Sequence, residues 1–242
     1  MIHYLKSSVR NIIDKLFPVI PERRYYTNLF TRDPVWSSPN PNFEETLRWN
    51  IIQNFVLAIK DQKSLSAIQS YNILDIGCGR GWLSNLLSAY GSVIGIEPVK
   101  PVVAWAKQLF PTLDLRHGIA KDLIKEGKTG FFDIIICSEV IEHIPNNRKD
   151  KFVKEIYSLL KEDGFLIITT PRKEAELDWK QYGNPNQPIE EWLSEDEVND
   201  LLVSNNFKKH SLSRFSIAPL PGASLIEIYQ LWLVQKVKKS QV

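Results

Sequence analysis

Cysteine is scarce: Cys78 and Cys137 are the only two in 242 residues, and each sits in or beside an apolar run. That argues against a disulfide framework and for a reducing, cytoplasmic setting with both thiols buried as small apolar groups. Long hydrophobic runs are missing as well. No stretch of about 18 apolar residues occurs, so no transmembrane helix is expected. A surplus of one charge is absent: 30 basic against 28 acidic residues leave +2, no global pull toward nucleic acid or an anionic membrane. A secretion signal is lacking too, since Lys6, Arg10, Asp14 and Lys15 interrupt the first apolar residues. The remaining Leu5, Val9, Ile12, Ile13, Leu16 and Phe17 fall on one face of a helix. Two roles fit such a helix. It packs on its own domain, or its basic polar face makes it a lid or a weak membrane-surface contact.

Residues 18–42 combine Pro18, Pro21, Pro34, Pro39 and Pro41 with Tyr25, Tyr26, Phe30 and Trp36. This predicts an ordered but irregular segment, because aromatic side chains need something to pack on. Helical spacing then runs over 43–60 through Leu47, Ile51, Ile52, Phe55, Val56 and Ile59. From residue 72 strand and helix alternate. Strands are read at Ile73–Ile76, Ser92–Glu97, Leu113–Arg116, Phe132–Cys137 and Gly164–Thr170. Helices are read at Gly81–Ala89, Pro101–Leu109 and Arg148–Leu160. Such alternation means βαβ units and a parallel sheet with helices on both faces. Residues 172–193 are polar with no period. Ser194–Leu202 begins with a Ser194/Glu197 capping box. Two closing strands follow at Phe207–Ile217 and Leu225–Val237, with Pro219, Pro221 and Gly222 at their turn. The division expected is an N-terminal helical and aromatic cap over 1–70 and an α/β domain over 71–242, with 172–193 inserted on its substrate side.

Asp75-Ile76-Gly77-Cys78-Gly79-Arg80-Gly81-Trp82 joins the first strand of that domain to its helix. Glycines let the backbone turn tightly and approach a ligand, and the helix presents free amides and its positive end. Glu97, 22 residues after Asp75, ends the second strand, where a carboxylate can accept both ribose hydroxyls of an adenosine. A nicotinamide enzyme would carry a glycine where Trp82 stands. An acid two residues before the first glycine also suits a cationic amino-bearing ligand better than a pyrophosphate.

This loop resembles motif I of class I S-adenosylmethionine-dependent methyltransferases. Phe132-Asp133-Ile134-Ile135-Ile136-Cys137-Ser138-Glu139-Val140-Ile141-Glu142-His143-Ile144 resembles the family's fourth-strand motif. Leu159 to Pro171 resembles the segment leading into its fifth strand. The resemblance covers about residues 70–210 and is nearest to ubiquinone-pathway O-methyltransferases. It implies a Rossmann-like seven-stranded, mostly parallel sheet with an antiparallel last strand. By the same resemblance Asp75, Gly77, Cys78, Gly79, Gly81 and Trp82 face the amino-acid part of S-adenosylmethionine, Glu97 and Pro98 the ribose, Ile119 and Ala120 the adenine, and Ser138, Glu139 and Val140 the sulfonium. Many relatives carry Asp where Ile119 stands; Asp122 is the nearest substitute.

Methyl transfer is an in-line displacement, so alignment and exclusion of water matter most, and a base is needed only where the acceptor must lose a proton. His143 is the candidate base; the structural alternative is an imidazole bonded to a backbone carbonyl. Relatives use a motif like Glu139, Glu142 and His143 to hold a divalent metal with help from a later histidine. No histidine occurs here between His143 and His210, and no metal is assigned. The acceptor belongs over the carboxyl ends of the strands, against Tyr25, Tyr26, Trp36, Trp179 and Tyr182, unless these form a small core of their own. Residues 173–200 hold nine acidic residues and two lysines, a balance of −7 that repels an RNA acceptor. Arg23, Arg24 and Arg32 are candidates to meet a carboxylate of substrate or cofactor. The expected activity is methyl transfer to a small molecule, at a hydroxyl or carboxylate oxygen. The alternatives are N-methylation of a small molecule or peptide and a catalytically idle cofactor-binding partner protein.

Overall fold

The computed structural model describes residues 21–62, 70–183 and 187–238. The helix read over Leu5 to Phe17 lies outside them. Seven strands form one sheet in the order β3-β2-β1-β4-β5-β7-β6: β1 Tyr71–Ile76, β2 Gly91–Glu97, β3 Asp114–His117, β4 Phe132–Ser138, β5 Leu160–Pro171, β6 Phe207–Ile217 and β7 Ile226–Lys236. β1 to β5 run parallel, and β7 is antiparallel to both β5 and β6. Strand order reverses between β1 and β4, which opens a crevice at their carboxyl ends.

Alternation along the strands builds two cores. Leu74, Ile76, Ile135, Cys137, Leu166, Ile168 and Trp232 face one way, against Val153, Ile156 and Leu159 of α6 (Asn146–Leu159) and Val198 and Leu202 of α8 (Glu195–Ser204). Ile73, Ile134, Ile136, Phe165, Ile167, Leu231 and Leu233 face the other, against α3 (Trp82–Leu87) and α2 (Phe43–Gln62). In α2 the contact is made by Ile52, Phe55, Val56 and Ile59, spaced as one helical stripe. α4 (Lys100–Leu109) and α5 (Ala120–Lys125) complete the β2 and β3 crossovers. Cys78 and Cys137 are free and buried, and burial pushes both thiols up.

Two segments differ from the sequence reading. Within 18–42, Pro21–Arg32 is a helix, α1, not irregular chain. Pro21 occupies its first position, where the missing N–H costs nothing, and Glu22 and Arg32 match the dipole at its two ends. Within 172–193, Lys173–Ala175 forms a 3-10 turn and Glu176–Lys180 a short helix, α7. Neither is periodic enough to show in a polar sequence.

Beyond the apolar stripe of α2, charge ties the start of that helix and the segment before it to the glycine loop. Asn42 and Glu45 cap α2 reciprocally, with N···O distances of 2.9 and 2.8 Å. Glu45 also receives both terminal nitrogens of Arg80, at 2.7 and 2.6 Å. Arg80 is fully buried, and it donates to the carbonyls of Ser38 and Asn40 as well. One glycine-loop arginine thus holds residues 38–45 over the loop. Removing either partner strands a buried charge, at a cost of about 3–5 kcal/mol. Arg80→Met should lose about that much in urea unfolding, and Arg80→Met/Glu45→Met should recover most of it. A single variant costing less than about 1 kcal/mol would remove the clamp.

Candidate functional site

A cavity of about 860 Å3 opens over the carboxyl ends of β1, β2 and β4. Its floor is the glycine loop. Gly77 (φ 70°) has no room for a side chain, because a Cβ would run into the Val140 methyl. Gly79 (φ 50°) lies against the Phe30 ring of α1, which a Cβ would meet at 3.3 Å. The loop is held from beneath: the Gly77 and Cys78 amides both donate to the Ile96 carbonyl, at 2.8 and 3.0 Å.

Carboxylates ring this floor. Asp75 is 1% exposed and accepts from Ser84 Oγ at 2.6 Å. Glu97 is 6% exposed and accepts the Gly79 and Val99 amides at 3.2 and 2.9 Å. Burial pushes each acid up to about 7, against the hydrogen bonds it receives. Past β4, Glu139 takes a left-handed φ of 57°, an uncommon conformation for a non-glycine residue and characteristic of functional sites. Consecutive threonines of β5 hold the acids there: Thr169 Oγ1 donates to Glu139 at 2.8 Å and Thr170 Oγ1 to Glu142 at 3.0 Å. Burial raises both of these acids as well.

Arg48 of α2 is the balancing cation, 3% exposed. It lies 2.7 Å from Glu44 and 3.5 Å from Glu139, with its guanidinium 4.8 Å over the Tyr229 ring. Its Nε is buried without a hydrogen-bond partner.

His143 follows β4 in a 3-10 turn. Its Nδ1 stands 2.8 Å from the Ile189 carbonyl, which can only accept, so Nδ1 carries the proton. Burial lowers its pKa, the imidazole is neutral near pH 7, and Nε2 is left as an acceptor. The carbonyl bond weighed from the sequence is present, and it leaves the other ring nitrogen without a proton. Nε2 is 3.7 Å from Glu142 Oε1. Among the described residues no three His, Cys, Asp or Glu side chains gather so as to hold a metal.

Of the cofactor residues read from the sequence, Asp75, Gly77, Cys78, Gly79, Trp82, Glu97, Pro98, Ser138, Glu139 and Val140 line the cavity. Gly81, Ile119 and Ala120 do not. Gly81 backs onto Leu115 and Phe110, Ile119 is 49% exposed outside it, and Ala120 is buried at the first position of α5. Of the substrate candidates Tyr25, Tyr26, Trp36 and Trp179 line the wall, whereas Tyr182 is 43% exposed away from it. Arg23 reaches the cavity, but Arg24 and Arg32 do not. Sequence reasoning missed Glu44, Glu45, Arg48, Arg80, His117 and Tyr229, all in the lining. The one available signal was charge at Glu44, Glu45 and Arg48 inside an otherwise apolar helical pattern.

The raised acids set a pH dependence. Between about pH 4 and 7 the folded protein keeps protons on Asp75 and Glu97 that the unfolded chain has released, so folding stability falls as pH rises through that window. Asp75→Asn/Glu97→Gln should flatten the decline in Tm between pH 5 and 8. A slope identical to wild type would show that these acids ionise freely in the fold.

Comparison with known proteins identifies the family and the fold. The family described as "Methyltransferase domain" matches residues 1–212. The ubiquinone biosynthesis O-methyltransferase of Pelagibacter ubique is 29% identical over 199 residues, covering 73% of this chain and 80% of that protein. The enzyme of the same name from Glaesserella parasuis is 30% identical over 148 residues, covering 58% of this chain and 60% of that protein. The chain spans 35% of the length of the bovine mitochondrial one. Among solved structures, 1,6-didemethyltoxoflavin-N1-methyltransferase of Burkholderia thailandensis, with bound 1,6-didemethyltoxoflavin and S-adenosylhomocysteine, superposes at a TM-score of 0.62 with 15% identity, over 91% of this chain and 92% of that one. The PH0226 protein of Pyrococcus horikoshii superposes at 0.65 with 19% identity, over 88% and 98%. With the glycine loop, the acid at the end of β2 and the 3-2-1-4-5-7-6 sheet all in place, the chain belongs to the methyltransferase-domain family and is an S-adenosylmethionine-dependent methyltransferase.

Proposed function

We propose that the chain methylates a hydroxyl oxygen of a small, flat acceptor held between the cap and the sheet. The observation that carries this reading is the His143 tautomer: with Nδ1 bonded to Ile189, Nε2 is left as an acceptor on a residue that lines an aromatic-walled cavity.

S-adenosylmethionine supplies a methyl group activated on a cationic sulfur. The residues present suit it. Gly77 and Gly79 leave room for a close backbone approach, Glu97 is placed for two ribose hydroxyls, and the unpartnered Arg48 Nε suits the α-carboxylate. Asp75 and Glu139 supply negative charge to the ammonium and sulfonium ends. His143 Nε2 would take the proton of the acceptor hydroxyl, leaving that oxygen free to receive the methyl group of the bound donor. Tyr25, Tyr26, Trp36 and Trp179 offer flat apolar contact and help to exclude water. Tyr26 bridges the opening, with its hydroxyl 3.4 Å from Gln187 Oε1 and its ring edge-on to His143 at 5.7 Å. Residues 21–45 therefore act as the roof of the acceptor site. The names of the ubiquinone biosynthesis relatives support oxygen as the atom methylated. Two free cysteines support a cytoplasmic location.

A second reading has its own observation. Glu22 Oε2 is buried without a partner, and Glu142 and Glu190 line the same wall. Such a wall stabilises positive charge growing on an acceptor nitrogen.

Calorimetric titration with S-adenosylmethionine and S-adenosylhomocysteine tests the cofactor site; micromolar binding with release of protons at pH 7 is expected. A panel of phenols, carboxylic acids and amines then tests the acceptor. Turnover of amines alone would transfer the assignment to nitrogen. His143→Ala should slow turnover at least a hundredfold and leave cofactor affinity within twofold. Undiminished turnover would remove the base.

A further inference from the structure

The cavity continues past Glu97 along Pro98, Val99 and Lys100 to His117. Glu97 and His117 are register partners on adjacent parallel strands, so their side chains leave the sheet on the same face at the same level. If Glu97 holds the ribose, the base attached to that ribose lies on the β3 side, beside His117. The acid that relatives carry after β3 is Ile119 here, exposed and outside the cavity. Asp122, the substitute suggested by the sequence, is already engaged: its Oδ2 accepts the Ile119 amide at 3.1 Å and its Oδ1 pairs with Lys125 at 3.3 Å. Lys100 can only donate.

His117 Nε2 stands 3.1 Å from the Pro98 carbonyl. A carbonyl only accepts, so Nε2 carries the proton, and in the neutral imidazole Nδ1 is an acceptor. The 6-amino group of adenine is a donor. We propose that His117 reads the amino edge of the adenine through Nδ1, oriented by the Pro98 carbonyl, and so selects adenosine over an analogue with an acceptor at that position. The proposal rests on the cofactor placement given above and deepens it.

Calorimetry at pH 8 on the full chain tests it with S-adenosylhomocysteine and S-inosylhomocysteine, in which a carbonyl replaces the 6-amino group. Wild type should prefer the adenosine compound about tenfold or more, since a lost hydrogen bond leaves two acceptors opposed. His117→Ala should weaken S-adenosylhomocysteine five- to tenfold, leave S-inosylhomocysteine within twofold, and so collapse the ratio. His117→Leu should do the same. An unchanged ratio in both variants, or an equal loss for both compounds, would overturn the role of His117 while leaving the cofactor site standing. Failure of wild type to bind S-adenosylhomocysteine at all would overturn the proposal together with the placement it rests on.

Discussion

Buried negative charge at the carboxyl edge of the sheet governs the site. Asp75, Glu97, Glu139 and Glu142 lie where water is largely excluded, and desolvation, joined at the three glutamates by repulsion from neighbouring acids, disfavours their charged forms. Hydrogen bonds from Ser84, the Gly79 and Val99 amides, Thr169 and Thr170 relieve part of that cost. Arg48 relieves another part at Glu139. What remains is an unmet attraction for a cation, of the kind that the proposed placement of the cofactor's sulfonium and ammonium would answer. The same physics explains why the cap is bound so firmly. Its anchors, Glu45 to Arg80 and Arg48 to Glu44 and Glu139, are charge pairs in a low-dielectric setting where a missing partner is costly.

The parallel core and the glycine loop were legible because they rest on local pattern. β1, β2 and β4 are apolar runs bounded by glycines or acids, and the Asp75 to Trp82 loop carries its chemistry within eight residues. The closing strands were legible for a similar reason, since Pro219, Pro221 and Gly222 mark the turn between them. The cap was not. Pro21 reads as a breaker in isolation, yet at the first position of α1 it favours the helix. The pairings of Arg48 and Arg80 do not show in the sequence, because their partners are fixed only when α2 settles over the loop. Arg80 lies 35 residues from Glu45, and no periodicity links the two. His117 escaped notice because its role depends on strand register, which a short, partly exposed β3 does not announce.

The placement of cofactor and acceptor residues follows from this layering. On the proposed placement, groups for the cofactor come from strand ends and the loops directly after them, and are set by the sheet. Those proposed for the acceptor come from α1, residues 33–36, α7 and residues 187–193, which the sheet positions only indirectly. Lys149 steadies the last of these, bonding the carbonyls of Ile144 and Glu191 at 2.7 and 3.1 Å. Changes in the cap and insertion can therefore alter what is methylated without disturbing how the methyl donor is held.

The position of β7 bears on how the chain is built. It is the last of the seven strands to leave the ribosome, yet it sits between β5 and β6. Until it arrives β5 is a bare edge, Trp232 is missing from one core and Leu231 and Leu233 from the other. The parallel strands can pair during synthesis, but the sheet becomes whole only when this late strand slides between two that preceded it. A nascent chain paused before residue 226 would present an open, apolar sheet margin, the kind of surface that chaperones shield and that pairs with the wrong neighbour when left uncovered.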